Sequence, residues 1–226
     1  MNSKTFLLDL DNTLYDYKTA HEPAKSALCE KISELFQIEN NLVWNSYESA
    51  RKKVNTYLAG TASSHNRLLY IQNMFEELGI PYSQEVRNLS KYYWDIFLLN
   101  TELFPGVLDF FKKVSGAKVG LVTDLTADVQ FLKLERLGLV SLFDAIVTSE
   151  ESGREKPHPY NFQLALLKLG SRLEDTIMIG DDFEKDILGA SNLGMKTIWL
   201  NHAGNQENLP KDSTEVSSFT EILNLV

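Results

Sequence analysis

Five short apolar runs constrain what this chain can become: Thr5–Leu10, Ala117–Thr123, Phe143–Thr148, Thr176–Gly180 and Met195–Leu200. From the second onward they alternate with stretches of helical period at Ala127–Leu137, Pro159–Leu169 and Glu184–Leu193. Strands separated by helices of about ten residues are joined by right-handed crossovers, so the pattern predicts an α/β protein with a parallel, doubly wound, Rossmann-like sheet. Runs this apolar suit strands covered on both faces.

The interval between the first two runs breaks the rhythm. From about Tyr17 to Leu99 apolar residues recur at helical spacing, as at Ile71, Met74, Phe75 and Leu78, with no convincing strand. We read residues 16–103 as an all-helical insertion and residues 1–15 with 104–226 as the core. Leu103-Phe104-Pro105-Gly106 supplies turn chemistry before a helix at Val107–Val114. The tail from Asn201 through Ser217 is polar and leads into an amphipathic Phe219–Val226, read as a last helix on the sheet.

Composition narrows the class. At 226 residues, 43% hydrophobic and 23% charged, the chain has the make-up of a soluble globular protein. A net charge of -9 argues against general binding to nucleic acid or an anionic membrane, while leaving room for an anionic ligand held locally with a cation. No apolar run approaches the ~18 residues of a membrane span, and Met1-Asn2-Ser3-Lys4-Thr5 leads into the first run without a signal-peptide pattern. A cytoplasmic protein is expected. The single Cys29 lies near Ala24 and Leu28 in a helix-like segment and is read as a packing residue in a reducing compartment.

In an open parallel sheet, ligands bind where the loops converge at the carboxyl ends of the strands. Four of the runs end in residue types suited to chemistry. Asp9 and Asp11 follow the first, Thr123 and Asp124 close the second, Lys156-Pro157 follows the third, and Gly180-Asp181-Asp182 closes the fourth, with Asp186 four residues beyond Asp182. Taken singly each is weak: an Asp-x-Asp among 31 acidic residues is more often a solvated loop, and a Lys-Pro an exposed amine.

In this order at successive strand ends, they resemble the haloacid dehalogenase superfamily of hydrolases, over nearly the whole chain. The chain resembles the branch, subfamily I, whose helical cap is inserted between the first and second core strands. The resemblance implies a sheet with Asp9's strand central and Mg²⁺ held by Asp9, Asp181 and the main-chain carbonyl of Asp11. Asp182 and Asp186 would stand behind these ligands, and Thr13 would shape the turn after Asp9. It further implies that Asp9 attacks phosphorus to form an aspartyl-phosphate, and that Asp11 protonates the leaving alkoxide and then takes a proton from water. Thr123, with Asp124 beside it, and Lys156 would contact the phosphate. A divalent cation is physically apt, because a carboxylate meeting a phosphate dianion about 4 Å away is opposed by several kcal/mol at an effective dielectric of about 20.

Asp11 separates activities within the superfamily. The carbon–halogen hydrolases it resembles lack an acid at this position, since halide leaves without a proton, so Asp11 favours phosphoryl chemistry. The expected function is hydrolysis of small-molecule phosphomonoesters, sugar or nucleotide phosphates among them, by a monomer or homodimer. Alternatives are a phosphomutase, a 2-haloacid dehalogenase, or a non-catalytic protein binding a phosphate ligand. Asp124-Leu125 departs from the usual Asn-Gly of the relatives it resembles, and Asp124 is expected to turn toward a backbone amide or a cation rather than toward phosphate. In the insertion, Gly60–Arg67 is the candidate specificity loop through His65 and Arg67; the competing reading is a helix start with Ser64 as N-cap and both residues solvated. Tyr92-Tyr93-Trp94 is read as helix core, and His158 as a loop residue rather than a metal ligand.

Overall fold

The apolar run after Lys4 forms β1 (Thr5–Leu8), four residues that are all buried. The computed structural model describes residues 4–226; Met1, Asn2 and Ser3, which open the stretch read above as leading into this strand, lie outside the described residues. Five more strands follow: β2 (Lys118–Thr123), β3 (Ala145–Thr148), β4 (Thr176–Gly180), β5 (Lys196–Leu200) and β6 (Ser213–Val216). They make one sheet in the order β3-β2-β1-β4-β5-β6, with every pairing parallel. The order reverses direction beside β1, the topological switch point at which such sheets bind ligands.

Contacts within the chain divide it into two compact units: the segment up to Asp16 together with Glu102–Val226, and Tyr17–Thr101. In the first, the helix Ala127–Leu137 follows β2, Ser149–Ser152 follows β3 and Pro159–Leu169 leads to β4. Leu7, Val122, Val147, Phe162, Ala165 and Met178 form much of a core between sheet and helix. Pro159 occupies the first turn of its helix, where a missing N–H costs nothing, and Gly170 ends it in the left-handed conformation.

One strand is added to the expected ones, and two expected helices need correction. Within the tail read as polar, β6, with the sequence Ser213-Thr-Glu-Val216, adds to the sheet edge. An edge strand covered on fewer sides can be polar, so it carries no apolar signal. The helix expected at Glu184–Leu193 is instead a π-helical turn at Phe183–Leu188 followed by a short α-helical turn at Gly189–Ser191. The last helix spans only Phe219–Ile222.

The second unit contains helices Tyr17–Phe36, Asn40–Tyr57, Arg67–Leu78 and Glu85–Leu99, with a single 3₁₀ turn at Ala62–His65. Ile71, Met74 and Phe75 are buried as their spacing implies. Asn66, not Ser64, caps the third helix, its side chain accepting from the Leu68 N–H. Cys29 is buried, and burial pushes its thiol up to about 12, which fits packing rather than reactivity. Tyr93 and Trp94 are buried, whereas Tyr92 faces solvent.

Candidate active site

β1 ends at Leu8, and the Asp9 N–H donates to the Ile179 carbonyl of β4, which fixes Asp9 at the mouth between the two strands. The chain then turns sharply: Thr13 and Leu14 N–H both donate to the Leu10 carbonyl, and Asn12 takes the left-handed conformation at φ 60°. The His202 ring donates from Nε2 to the Asn12 carbonyl at 2.9 Å, bracing that turn from the loop after β5.

Lys156, Asp186 and Thr13 gather on Asp9. The Lys156 ammonium lies 2.5 Å from Asp9 Oδ1 and 2.7 Å from Asp186 Oδ1. The Thr13 hydroxyl lies 3.2 Å from Asp9 Oδ2 and 3.3 Å from Asp181 Oδ1, bridging the two carboxylates. Asp9, Asp181 and Asp186 each bring an oxygen within 4.8 Å of the others, a grouping that could hold a metal ion. Asp9, Thr13, Lys156 and Asp186 are all buried.

Gly180 makes this packing possible. A Cβ there would sit 2.2 Å from Asp186 Oδ2, so any side chain at residue 180 would displace that carboxylate. The π turn then brings Asp186 back over the strand end, where its Oδ2 accepts from the Asp182 N–H. Trp199 Nε1 donates to the Asp181 carbonyl at 2.8 Å and steadies the neighbouring residue. Asp182, expected behind the ligands, is exposed, and its carboxylate caps the π turn at the Lys185 N–H.

Three carboxylates share one ammonium here. Burial, then the charge of the neighbouring carboxylates, raises Asp9 and Asp186 above the ordinary range despite Lys156. Burial and Asp9 carry Asp181 up to about 7. Desolvation opposes the charge on Lys156, but Asp186, Asp9 and Asp124 outweigh it and keep the amine firmly protonated. Excess negative charge in a largely buried pocket suits a hard dication with oxygen ligands.

Asp11 stands apart from this group. Lys133 Nζ lies 2.7 and 2.9 Å from its two oxygens, the Tyr15 hydroxyl donates to Oδ1, and Gln130 Nε2 approaches Oδ2 at 3.4 Å. Burial alone would raise the Asp11 carboxyl; Lys133, Tyr15 and Gln130 together hold it below the usual value, as a carboxylate. Gln130 Nε2 also donates to Thr123 Oγ1 and, at 2.7 Å, to the Asp124 carbonyl, joining the ends of β1 and β2.

Asp124 is turned to a backbone amide and a cation: it accepts from the Lys156 N–H at 2.9 Å and from Lys185 Nζ at 2.8 Å. His158 is exposed and caps the helix beginning at Pro159 through its ring. Sequence reasoning missed Lys133, Gln130, Tyr15 and Lys185. Helical period gave no signal for two of them, since Gln130 and Lys133, one turn apart in a helix, are both buried, while the apolar Phe131 and Leu132 face solvent.

In the second unit, Arg67 is buried rather than solvated, whereas His65 is half-buried. The Arg67 guanidinium lies 5.1–5.9 Å from the rings of Tyr17, Tyr70, Tyr93 and Trp94. It donates to the His65 carbonyl and to the hydroxyls of Tyr17 and Tyr93, while its Nε has no partner.

The fold and the charged strand ends define an α/β protein whose acidic site lies at the switch point of a parallel sheet. The profile of haloacid dehalogenase-like hydrolases matches residues 3–194, and the chain belongs to that family. It is 37% identical over 196 residues to the ribulose-1,5-bisphosphate 5-phosphatase of Halopiger xanaduensis, covering 85% of this chain and 82% of the relative. It is 30% identical over 220 residues to the glyceraldehyde 3-phosphate phosphatase of Methanopyrus kandleri, covering 96% and 91%. Among solved structures, an HAD phosphatase from Thermococcus onnurineus superposes with a TM-score of 0.76 over 98% of this chain and 97% of that one, at 22% identity. Family and relatives together make the chain a phosphoric monoester hydrolase.

Proposed function

We propose that the chain is a Mg²⁺-dependent phosphatase of small sugar phosphates that works through an aspartyl-phosphate on Asp9. The observation that carries this reading is the treatment of Asp9. One oxygen is held by Lys156 and the other by Thr13, within 4.8 Å of two further carboxylates, while Asp11, two residues on, is held separately. The names of the two relatives, a ribulose-1,5-bisphosphate 5-phosphatase and a glyceraldehyde 3-phosphate phosphatase, support phosphorylated sugars as the substrate class. We assign catalysis to a core of residues 1–15 and 104–226 and the cap to residues 16–103, in a cytoplasmic enzyme acting as a monomer or homodimer.

Asp9 attacks phosphorus, and a bond forms from its carboxylate oxygen as the ester P–O bond breaks. Asp11 gives a proton to the departing alkoxide oxygen; it takes that proton up from solvent as the dianionic phosphate arrives beside it and raises its proton affinity. Water then attacks the phosphorus of the intermediate, its proton passes to Asp11, and Asp9 is released as a carboxylate with inorganic phosphate. Lys156 faces the charge that grows on the phosphoryl oxygens, and the Thr123 hydroxyl, which accepts from Gln130, turns its own proton to one of them. Asp9, Asp181 and the main-chain carbonyl of Asp11 would hold Mg²⁺, with Asp186 behind them; it supplies two positive charges against the phosphate dianion.

The test is phosphate release from a panel of phosphomonoesters by the purified protein, with Mg²⁺ and with a chelator. Release from sugar phosphates that requires Mg²⁺ and is abolished by Asp9→Asn is expected. Binding without release on every ester would sink the reading.

A further inference from the structure

We propose that Lys133 is the positioning residue for the acid–base carboxylate Asp11, aiming it at the leaving-group oxygen. The inference rests on the assignment of Asp11 as acid and base and extends it to a residue that no strand end supplies.

Lys133 comes from the helix after β2, more than a hundred residues from Asp11 in sequence, yet its amine meets both carboxylate oxygens, at 2.7 and 2.9 Å. Its side chain has no solvent exposure, against 26% for that of Asp11. Burying an ammonium completely is costly, and the cost is offset here by contact with a carboxylate whose other side is open. The contact is two-point. With the Tyr15 hydroxyl donating to Oδ1, it fixes the plane of the Asp11 carboxyl as well as its position.

Directional fixing matters for one step in particular. When Asp11 passes its proton to the departing oxygen, the ester P–O bond breaks, the alcohol forms and Asp11 is left as a carboxylate. Lys133 faces the charge that appears. Alkoxides of sugars are strongly basic and need that proton, whereas a nitrophenolate leaves without it. A residue that merely stabilises the fold would affect both esters alike; a residue that aims the acid affects the poor leaving group selectively.

The experiment compares kcat/KM for an alkyl ester, glycerol phosphate, and an aryl ester, 4-nitrophenyl phosphate, in the full-length enzyme with Mg²⁺. Lys133→Met, close in volume and uncharged, is expected to lose about 10²-fold on the alkyl ester and less than about 3-fold on the aryl ester. Lys133→Arg, which keeps a two-point donor, is expected to recover most of the alkyl-ester rate. In an Asp11→Asn background, Lys133→Met is expected to have almost no further effect. Equal losses on both esters, or full additivity with Asp11→Asn, would overturn the inference. If Asp11→Asn alone shows no preference between the esters, the reading of Asp11 fails first and the inference with it. A steep preference in Asp11→Asn with a uniform loss in Lys133→Met overturns the inference alone.

Discussion

Two buried polar clusters in this protein solve the same electrostatic problem in opposite ways. In the core unit, Lys156 is set between Asp9 and Asp186 with Asp181 nearby, so ionic charge is answered by ionic charge and carboxylates remain in excess. In the helical unit, Arg67 is ringed by four aromatic side chains and two tyrosine hydroxyls, and no ion pair to a carboxylate is found for it among the described residues. The first arrangement leaves pKa values displaced in ways a reaction can use. The second surrounds its charge with ring faces and neutral acceptors, leaves Arg67 Nε without a partner, and through burial and that charge lowers the pKa of His21.

Removing the cation from each cluster sharpens the contrast. Lys156→Met leaves three carboxylates together without a counter-charge; about a 10³-fold loss in kcat/KM is expected, read in the phosphate-release assay. A loss below about 5-fold would show that the charge on Lys156 is not used in the reaction. Arg67→Met removes cation–ring contacts and three hydrogen bonds at once, and a destabilisation of about 3 kcal/mol is expected in urea denaturation. An unchanged midpoint would mean that the rings do not compensate the buried charge.

A smaller effect comes from His21, whose Nδ1 lies 2.7 Å from the Tyr93 hydroxyl beside Arg67. Burial, then the positive charges of Arg67, Lys25 and Arg51, lowers it from 6.5 to about 3. Between those values the unfolded chain binds a proton that the folded one refuses. Its contribution is therefore fully present above pH 6.5 and is lost as pH falls toward 3, with a slope of at most about 1.4 kcal/mol per pH unit. Stability measured from pH 7 to 5 should show up to about 2 kcal/mol of loss that His21→Gln abolishes. The same slope in the variant would assign the loss to other groups. Smallest of all is Asp124→Asn: with the carboxylate already satisfied by Lys156 N–H and Lys185, kcat/KM is expected to stay within about 3-fold, and a tenfold rise would mean that Asp124 repels the phosphate.

The sequence made these two regions legible to different degrees. β1, β2, β4 and β5 announce themselves because strands covered on both faces are apolar throughout, and Asp9, Thr123, Lys156 and Asp181 could be placed because strand ends are where such sheets expose chemistry. β6 was hidden because an edge strand tolerates Ser213, Thr214 and Glu215. Lys133 and Gln130 were hidden because helical period marks apolar faces as buried, and in this helix Phe131 and Leu132 face outward. The burial of Arg67 was hidden for a further reason. Its neighbours Tyr17, Tyr70 and Tyr93 come from three different helices, and only tertiary packing brings their rings around one guanidinium.

The central claim, that Asp9 forms a covalent phosphoryl intermediate, is tested most directly by rapid acid quench of a single turnover with a substrate labelled at phosphorus. The account predicts label on the Asp9-containing peptide that appears before free phosphate and decays as phosphate is released, and that is absent in Asp9→Asn. Phosphate formed at the wild-type rate with no label on the protein at any time, or label on a residue other than Asp9, would contradict it.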